Sequence, residues 1–212
     1  MRIGALCALI GMAAEATAKR ILCLHGSGGG ARPFLATLDA LRRASAPWAF
    51  EALDAPAGDG RWWRYPDGQR SFTASSYQGA EESIDLVEGH ISRHAIDGVL
   101  GFSQGAMLAA IVAARASLGE GAAASQLKFA IIAAAAVPKP YEELLHRLRE
   151  AEIRPLPTLH CLSAEDTMNP AAMGEEVAAC FGPTAEVLWH GGGHALPPRA
   201  DLGEVVSFLN RI

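Results

Sequence analysis

Apolar positions in this chain follow two alternating rhythms. Short, nearly unbroken apolar runs are separated by stretches in which apolar residues return every three or four positions. The first kind reads as strands buried on both faces, the second as amphipathic helices. Strands are predicted over residues 21–25 (ILCLH), 48–56, 96–102, 128–137, 156–163 and 185–190. A helix over 33–44 places Phe34, Leu38 and Leu41 on one face, with Pro33 near its first turn. A second runs from a cap at Ser75 or Ser76 to about His94, with Ile84, Val87 and Ile91 on its buried side. Helices over 103–116, 141–152, 169–181 and 198–211 complete the alternation, and 57–74 is a polar, aromatic loop without periodicity.

Six strands alternating with helices predict an α/β protein with a mostly parallel, doubly wound sheet. Its crossovers should be right-handed, and a ligand site belongs at the carboxyl ends of the strands. No repeat or low-complexity linker interrupts the pattern, so residues 19–212 are expected to form a single domain.

Residues 1–18 are expected to be an N-terminal extension. They combine Arg2, an apolar stretch over 3–14 and an A-x-A pattern at Ala14–Ala16, which is also the outline of a signal peptide. A cytoplasmic protein is the expectation, or a secreted or organelle-targeted one if that segment is cleaved. The stretch is too short for a membrane span.

Composition narrows the partners. Of 212 residues, 50% are hydrophobic and 19% charged, with a formal net charge of -5. Without a cluster of Lys and Arg there is no electrostatic ground for nucleic-acid binding. The four cysteines (Cys7, Cys23, Cys161 and Cys180) have no C-x-x-C spacing and no grouping with histidines. They read as buried thiols, with neither a disulfide framework nor a zinc site.

The chemistry centres on GFSQG, residues 101–105, a G-x-S-x-G sequence between a predicted strand and a predicted helix. That is the setting of a nucleophile elbow, where a tight turn presents the serine at the top of the sheet and flanking glycines avoid clashes. A Ser103 hydroxyl needs a base, and the base needs a third group to orient it. Of seven histidines, His90, His94 and His146 lie on helices among polar neighbours, facing solvent, and His160 lies inside a strand. His194 follows the last strand in HGGGHALP, a glycine loop at the same end of the sheet as Ser103. It is the expected base. His190 reads as a strand-end residue that shapes the loop, because three intervening glycines disfavour the helical spacing of a metal pair. The acid should lie between serine and histidine in the chain, and LSAEDTMNP offers Glu165 and Asp166, which position separates only weakly.

The loop after the first strand, HGSGGG, supplies the remaining part. An acyl-transfer intermediate needs two backbone donors, expected to be the N–H of Gln104 and that of Ser27, with Gly28 as the lesser choice. Phe102, Trp62, Trp63, Tyr65 and Leu196 are expected to line an apolar substrate site. The same loop, Gly26 to Ala31, also has the spacing G-x-G-x-x-A of a dinucleotide turn. A dinucleotide-dependent oxidoreductase is therefore the alternative, although it leaves the elbow, the acid and the glycine-loop histidine unexplained. A catalytically silent binding module is a third reading, which no sequence feature favours.

Taken in order, ILCLHG, LDAP, RWWRY, YQGAEESI, DGVLGFSQGA, LSAEDTMNP and HGGGHALP resemble the FSH family of serine hydrolases, a small group with the α/β-hydrolase fold. The resemblance covers nearly all of residues 19–212. It implies Ser103 as nucleophile, Asp166 as acid and His194 as base. It also implies esterase or thioesterase activity on small-molecule acyl substrates, with no metal or cofactor. Three departures stand out. Ser163 occupies a turn position where many hydrolases have glycine, glycines 28–30 replace bulkier residues, and the short segment 138–155 leaves little room for a lid.

Overall fold

The computed structural model describes residues 19–212. The expected N-terminal extension or signal segment lies outside the described residues.

Six parallel strands form one sheet: β1 (Arg20–Leu24), β2 (Ala49–Leu53), β3 (Gly98–Phe102), β4 (Phe129–Ala133), β5 (Thr158–Leu162) and β6 (Ala185–Trp189). Their order is β2-β1-β3-β4-β5-β6. From β1 the described chain moves outward to the edge strand β2, then returns past β1 to β3. The reversal leaves a crevice above the carboxyl ends of β1 and β3, where open α/β sheets hold ligands.

Side-chain alternation along the strands builds two cores. Leu22, Leu24, Val99, Ala130 and Ile132 face one side, covered by α3 (Ala80–His94), α4 (Gln104–Ser117), α5 (Glu142–Glu150) and α6 (Ala171–Cys180). Ile21, Cys23, Leu100, Ile131 and Cys161 face the other, under α1 (Ala31–Thr37), α2 (Asp39–Ala44) and α7 (Leu202–Arg211). Helix α4 is buried all round from Gln104 to Ala114, as expected for a helix apolar on every face. Its alanines let it lie close against the sheet. Cys23, Cys161 and Cys180 are free and buried, and burial pushes the Cys161 thiol up to about 12.

Three predicted elements need correction. The helix expected over 33–44 is two short helices broken at Leu38, and it begins at Ala31, whose N–H donates to Asp54 Oδ1 at 2.7 Å. Helix α3 starts at Ala80 after Gly79 (φ 87°), not at a Ser75 or Ser76 cap. The backbone before it is used otherwise: Gln78 exchanges both hydrogen bonds with Arg64 at 3.0 Å. Strand β4 ends at Ala133 rather than at residue 137, because Ala134 turns to a left-handed φ of 56°. No helix among the described residues is long and apolar enough to cross a membrane.

Candidate functional site

Ser103 sits on the turn between β3 and α4 with φ 54° and ψ -117°. A non-glycine residue avoids this backbone region, and the surroundings hold it there. Its N–H donates to Ala133 O at 2.9 Å, while its carbonyl accepts Ala106 N–H and Met107 N–H at 3.0 and 3.1 Å to start α4. The flanking glycines are steric requirements. A Cβ on Gly101 would lie 2.2 Å from Gly105 O, and one on Gly105 would lie 2.2 Å from Leu24 O. The Ser103 hydroxyl is therefore presented over the crevice by a corner whose positions 101 and 105 admit no side chain.

His194 comes from the glycine loop after β6. Gly193 takes φ 64°, and His190 shapes this loop by accepting Gly192 N–H on Nδ1 at 3.1 Å. Burial lowers the His190 imidazole below its ordinary value, which favours the neutral ring that can accept this bond. His194 Nε2 lies 2.9 Å from Ser103 Oγ, and Nδ1 lies 2.8 Å from Asp166 Oδ2. Because a carboxylate only accepts, Nδ1 carries the proton and Nε2 is free to accept from Ser103.

Asp166 is buried at the turn after β5. Its Oδ1 accepts Met168 N–H and Asn169 N–H at 2.9 and 2.8 Å, leaving Oδ2 for the imidazole. Glu165 is exposed and makes no such contact. Geometry thus separates two carboxylates that position alone could not. Asn169 is itself anchored, donating from Nδ2 to Ala134 O at 2.8 Å. This explains the early end of β4.

Of the two expected backbone donors beyond Gln104, Gly28 is already engaged, since its N–H donates to Gly60 O at 2.7 Å. Asp54 occupies the amino end of α1 through Ala31 N–H. A pyrophosphate would need that same end of the helix, which weighs against the dinucleotide reading of this loop. Among the described residues no group of three or more His, Cys, Asp or Glu is placed to hold a metal ion.

A pocket of about 440 Å³ opens at Ser103, walled by Ser27, Tyr65, Gln69, Arg70, Ser71, Gln104, Met107, Met168 and Asn169. The structure brings Tyr65 to this pocket but not the other expected lining residues. Trp62 and Trp63 are each 1% exposed, packed into the core beneath it. Phe102 lies against the His194 ring at a centroid distance of 5.2 Å. Leu196 lines a separate apolar cavity of about 200 Å³ between the sheet and α2 and α7.

Sequence reasoning missed three contributors. The Gln104 side chain accepts Trp62 N–H at 3.0 Å and donates to Trp63 O at 2.9 Å, with Tyr65 Oη at 3.4 Å. The residue expected to offer a backbone N–H thus also holds the aromatic stretch in place with its amide. The Ser163 hydroxyl joins the acid and histidine loops. The third contributor is the 69–71 turn that walls the pocket; the only signal was that 57–74 lacked periodicity, as functional loops do. Two other histidines are tied into the fold. His160 is fully buried and pushed down to about 3 by loss of solvation. His90, expected to face solvent, is half-buried and paired with Glu51.

Residues 56–205 match the family model described as serine hydrolase (FSH1). The chain is 30% identical to the esterase OVCA2 of Xenopus tropicalis, over 94% of this chain and 95% of that protein. It is 31% identical to the esterase CG5412 of Drosophila melanogaster, over 92% and 74%. Among solved structures, esterase PE8 superposes with a TM-score of 0.72 at 24% identity, covering 92% of this chain and 93% of that one. Acyl-protein thioesterase 2 of Zea mays gives 0.68 at 18%, covering 91% and 93%. These last two likenesses show a shared α/β-hydrolase fold. The chain belongs to the FSH1 family of serine hydrolases.

Proposed function

We propose that the protein hydrolyses carboxylic esters or thioesters of acyl substrates through an acyl-enzyme on Ser103. The observation that carries this reading is the unbroken line of hydrogen bonds from Ser103 Oγ to His194 Nε2 and from His194 Nδ1 to Asp166 Oδ2, at 2.9 and 2.8 Å. Relatives named as esterases support the reaction class.

As Ser103 Oγ attacks the acyl carbonyl carbon, its proton passes to His194 Nε2. The carbonyl oxygen becomes an oxyanion, held by the N–H groups of Gln104 and Ser27, each worth about 3 kcal/mol in such sites. Asp166 stabilises the imidazolium and keeps the ring oriented. When the tetrahedral intermediate collapses, the bond to the leaving oxygen or sulfur breaks and His194 returns the proton to it. Water then attacks the acyl-serine with His194 as base, releasing the acid and restoring Ser103.

Labelling by a fluorophosphonate probe tests this. Wild-type protein should be labelled and should hydrolyse a 4-nitrophenyl ester, and Ser103→Ala should lose both. A folded wild-type protein that neither labels nor turns over would overturn the proposal.

A further inference from the structure

The pocket at Ser103 contains a feature that ester hydrolysis alone does not require. Arg70 is the one charged side chain among its walls. Among the described residues it has no carboxylate within ion-pairing distance, whereas Arg61 and Arg64 in the adjoining groove both pair with Asp59. Asp67 lines that groove and not this pocket. An arginine without a carboxylate partner therefore walls the same pocket as the reacting hydroxyl, in a protein whose formal charge is -5.

The turn that carries Arg70 is held by its own hydrogen bonds. Arg70 N–H donates to Thr73 Oγ1 at 2.8 Å, and Arg70 O accepts Ala74 N–H at 2.9 Å. Gln69 Oε1 accepts Ser75 N–H at 2.9 Å, which leaves the amide nitrogen as the end that donates elsewhere. Tyr65 Oη accepts from Gln104, so its own hydrogen remains available, and burial raises the phenol above its ordinary value. Three donors thus line one pocket, one of them a fork shaped for bidentate oxyanion recognition.

We infer that Arg70 selects substrates carrying an anionic group, a carboxylate or a phosphate, alongside the ester or thioester cleaved at Ser103. The inference rests on the ester-hydrolase reading above and adds the substrate class. The anion could belong to the acyl part, as in a dicarboxylic half-ester, or to the leaving group, as in a coenzyme A thioester.

Matched substrate pairs separate these sources from each other and from the parent reading. 4-Nitrophenyl hemiglutarate is set against 4-nitrophenyl pentanoate, and pentanoyl-coenzyme A against the pentanoyl thioester of N-acetylcysteamine. Wild-type kcat/KM should favour the charged member of at least one pair by about tenfold or more, the scale of a hydrogen bond to a charged group. That ratio should fall at least about tenfold, toward unity, in Arg70→Gln and be partly kept in Arg70→Lys, which retains charge without the fork. The pair that shows the preference identifies the source. Equal rates within both pairs, or a preference that survives Arg70→Gln, would overturn the assignment while leaving ester hydrolysis intact. Turnover and labelling that both survive Ser103→Ala, or a folded wild type that neither labels nor turns over any of the four substrates, would overturn both readings.

Discussion

The Ser163 hydroxyl accepts the N–H of Gly193 at 3.1 Å, and also that of Glu165 at 3.2 Å. One buried side chain therefore joins the loop that presents Asp166 to the loop that presents His194. Many hydrolases have glycine at this turn, and a glycine there could not make this link. Ser163→Ala should leave two amides without partners, at a cost of about 1–3 kcal/mol. It should also lower kcat about tenfold with little change in KM, because small displacements between reacting groups are expensive. Urea unfolding and steady-state hydrolysis of a 4-nitrophenyl ester measure both. An unchanged kcat would show that the two loops hold their spacing without Ser163.

Gln104 has a comparable role on the other side of Ser103. Its amide satisfies Trp62 N–H and Trp63 O in a buried position. Gln104→Ala should cost about 2–3 kcal/mol through those unsatisfied backbone groups. KM should rise as well, because the same stretch carries Tyr65 to the pocket wall. Gln104→Glu should not restore stability while ionised, since a carboxylate cannot donate to Trp63 O. Thermal denaturation of the three proteins gives the ranking.

The elbow glycines provide a steric test with an internal control. A Cβ at residue 105 would penetrate the backbone of Leu24 and His25, at 2.2 Å and 2.5 Å from their carbonyl oxygens. Gly105→Ala should destabilise the fold by about 3 kcal/mol or more, as overpacking against immovable backbone does. Gly28 has φ 75° but nothing within 4 Å of a built Cβ. Gly28→Ala should cost only the backbone strain, about 1 kcal/mol. Equal losses in the two variants would contradict the packing at the elbow.

What the sequence made legible follows from which features are local. Strands buried on both faces announce themselves as apolar runs closed by small or polar residues, and β1, β3 and β5 end within a residue of where the pattern stops. The turn holding Ser103 was readable because its glycines are demanded by backbone atoms only a few residues or one strand away. Other contacts distant along the chain left no trace. The pairing of Gln78 with Arg64 displaced the start of α3, and the anchoring of Asn169 on Ala134 shortened β4. Trp62 and Trp63 looked like substrate contacts because an aromatic pair in a polar loop has no visible core to join. That core is supplied by residues such as Ile84, Val87 and Met107, and no periodicity in 57–74 could announce the packing. Arg70 gave no signal either, since a lone arginine in a loop acquires meaning only from the pocket it faces.

His160 provides a prediction about pH. It is fully buried in β5, its Nε2 faces Thr158 Oγ1 at 3.0 Å, and its Nδ1 has no partner in the described structure. Loss of solvation lowers the folded-state value from 6.5 to about 3. Between those values the unfolded chain binds a proton that the folded chain refuses, so lowering the pH from about 6.5 toward 3 draws the equilibrium toward unfolding. Above 6.5 the ring is neutral in both states and contributes no pH dependence. His160→Gln removes the titration, so the variant should lose less stability on acidification than the wild type. The difference between the two unfolding free energies should change by at most about 1.4 kcal/mol per pH unit within that window. Urea midpoints at pH 7.5, 6.5, 5.5 and 4.5 would show it. Parallel curves for the two proteins would mean that His160 takes up its proton without unfolding the sheet around it.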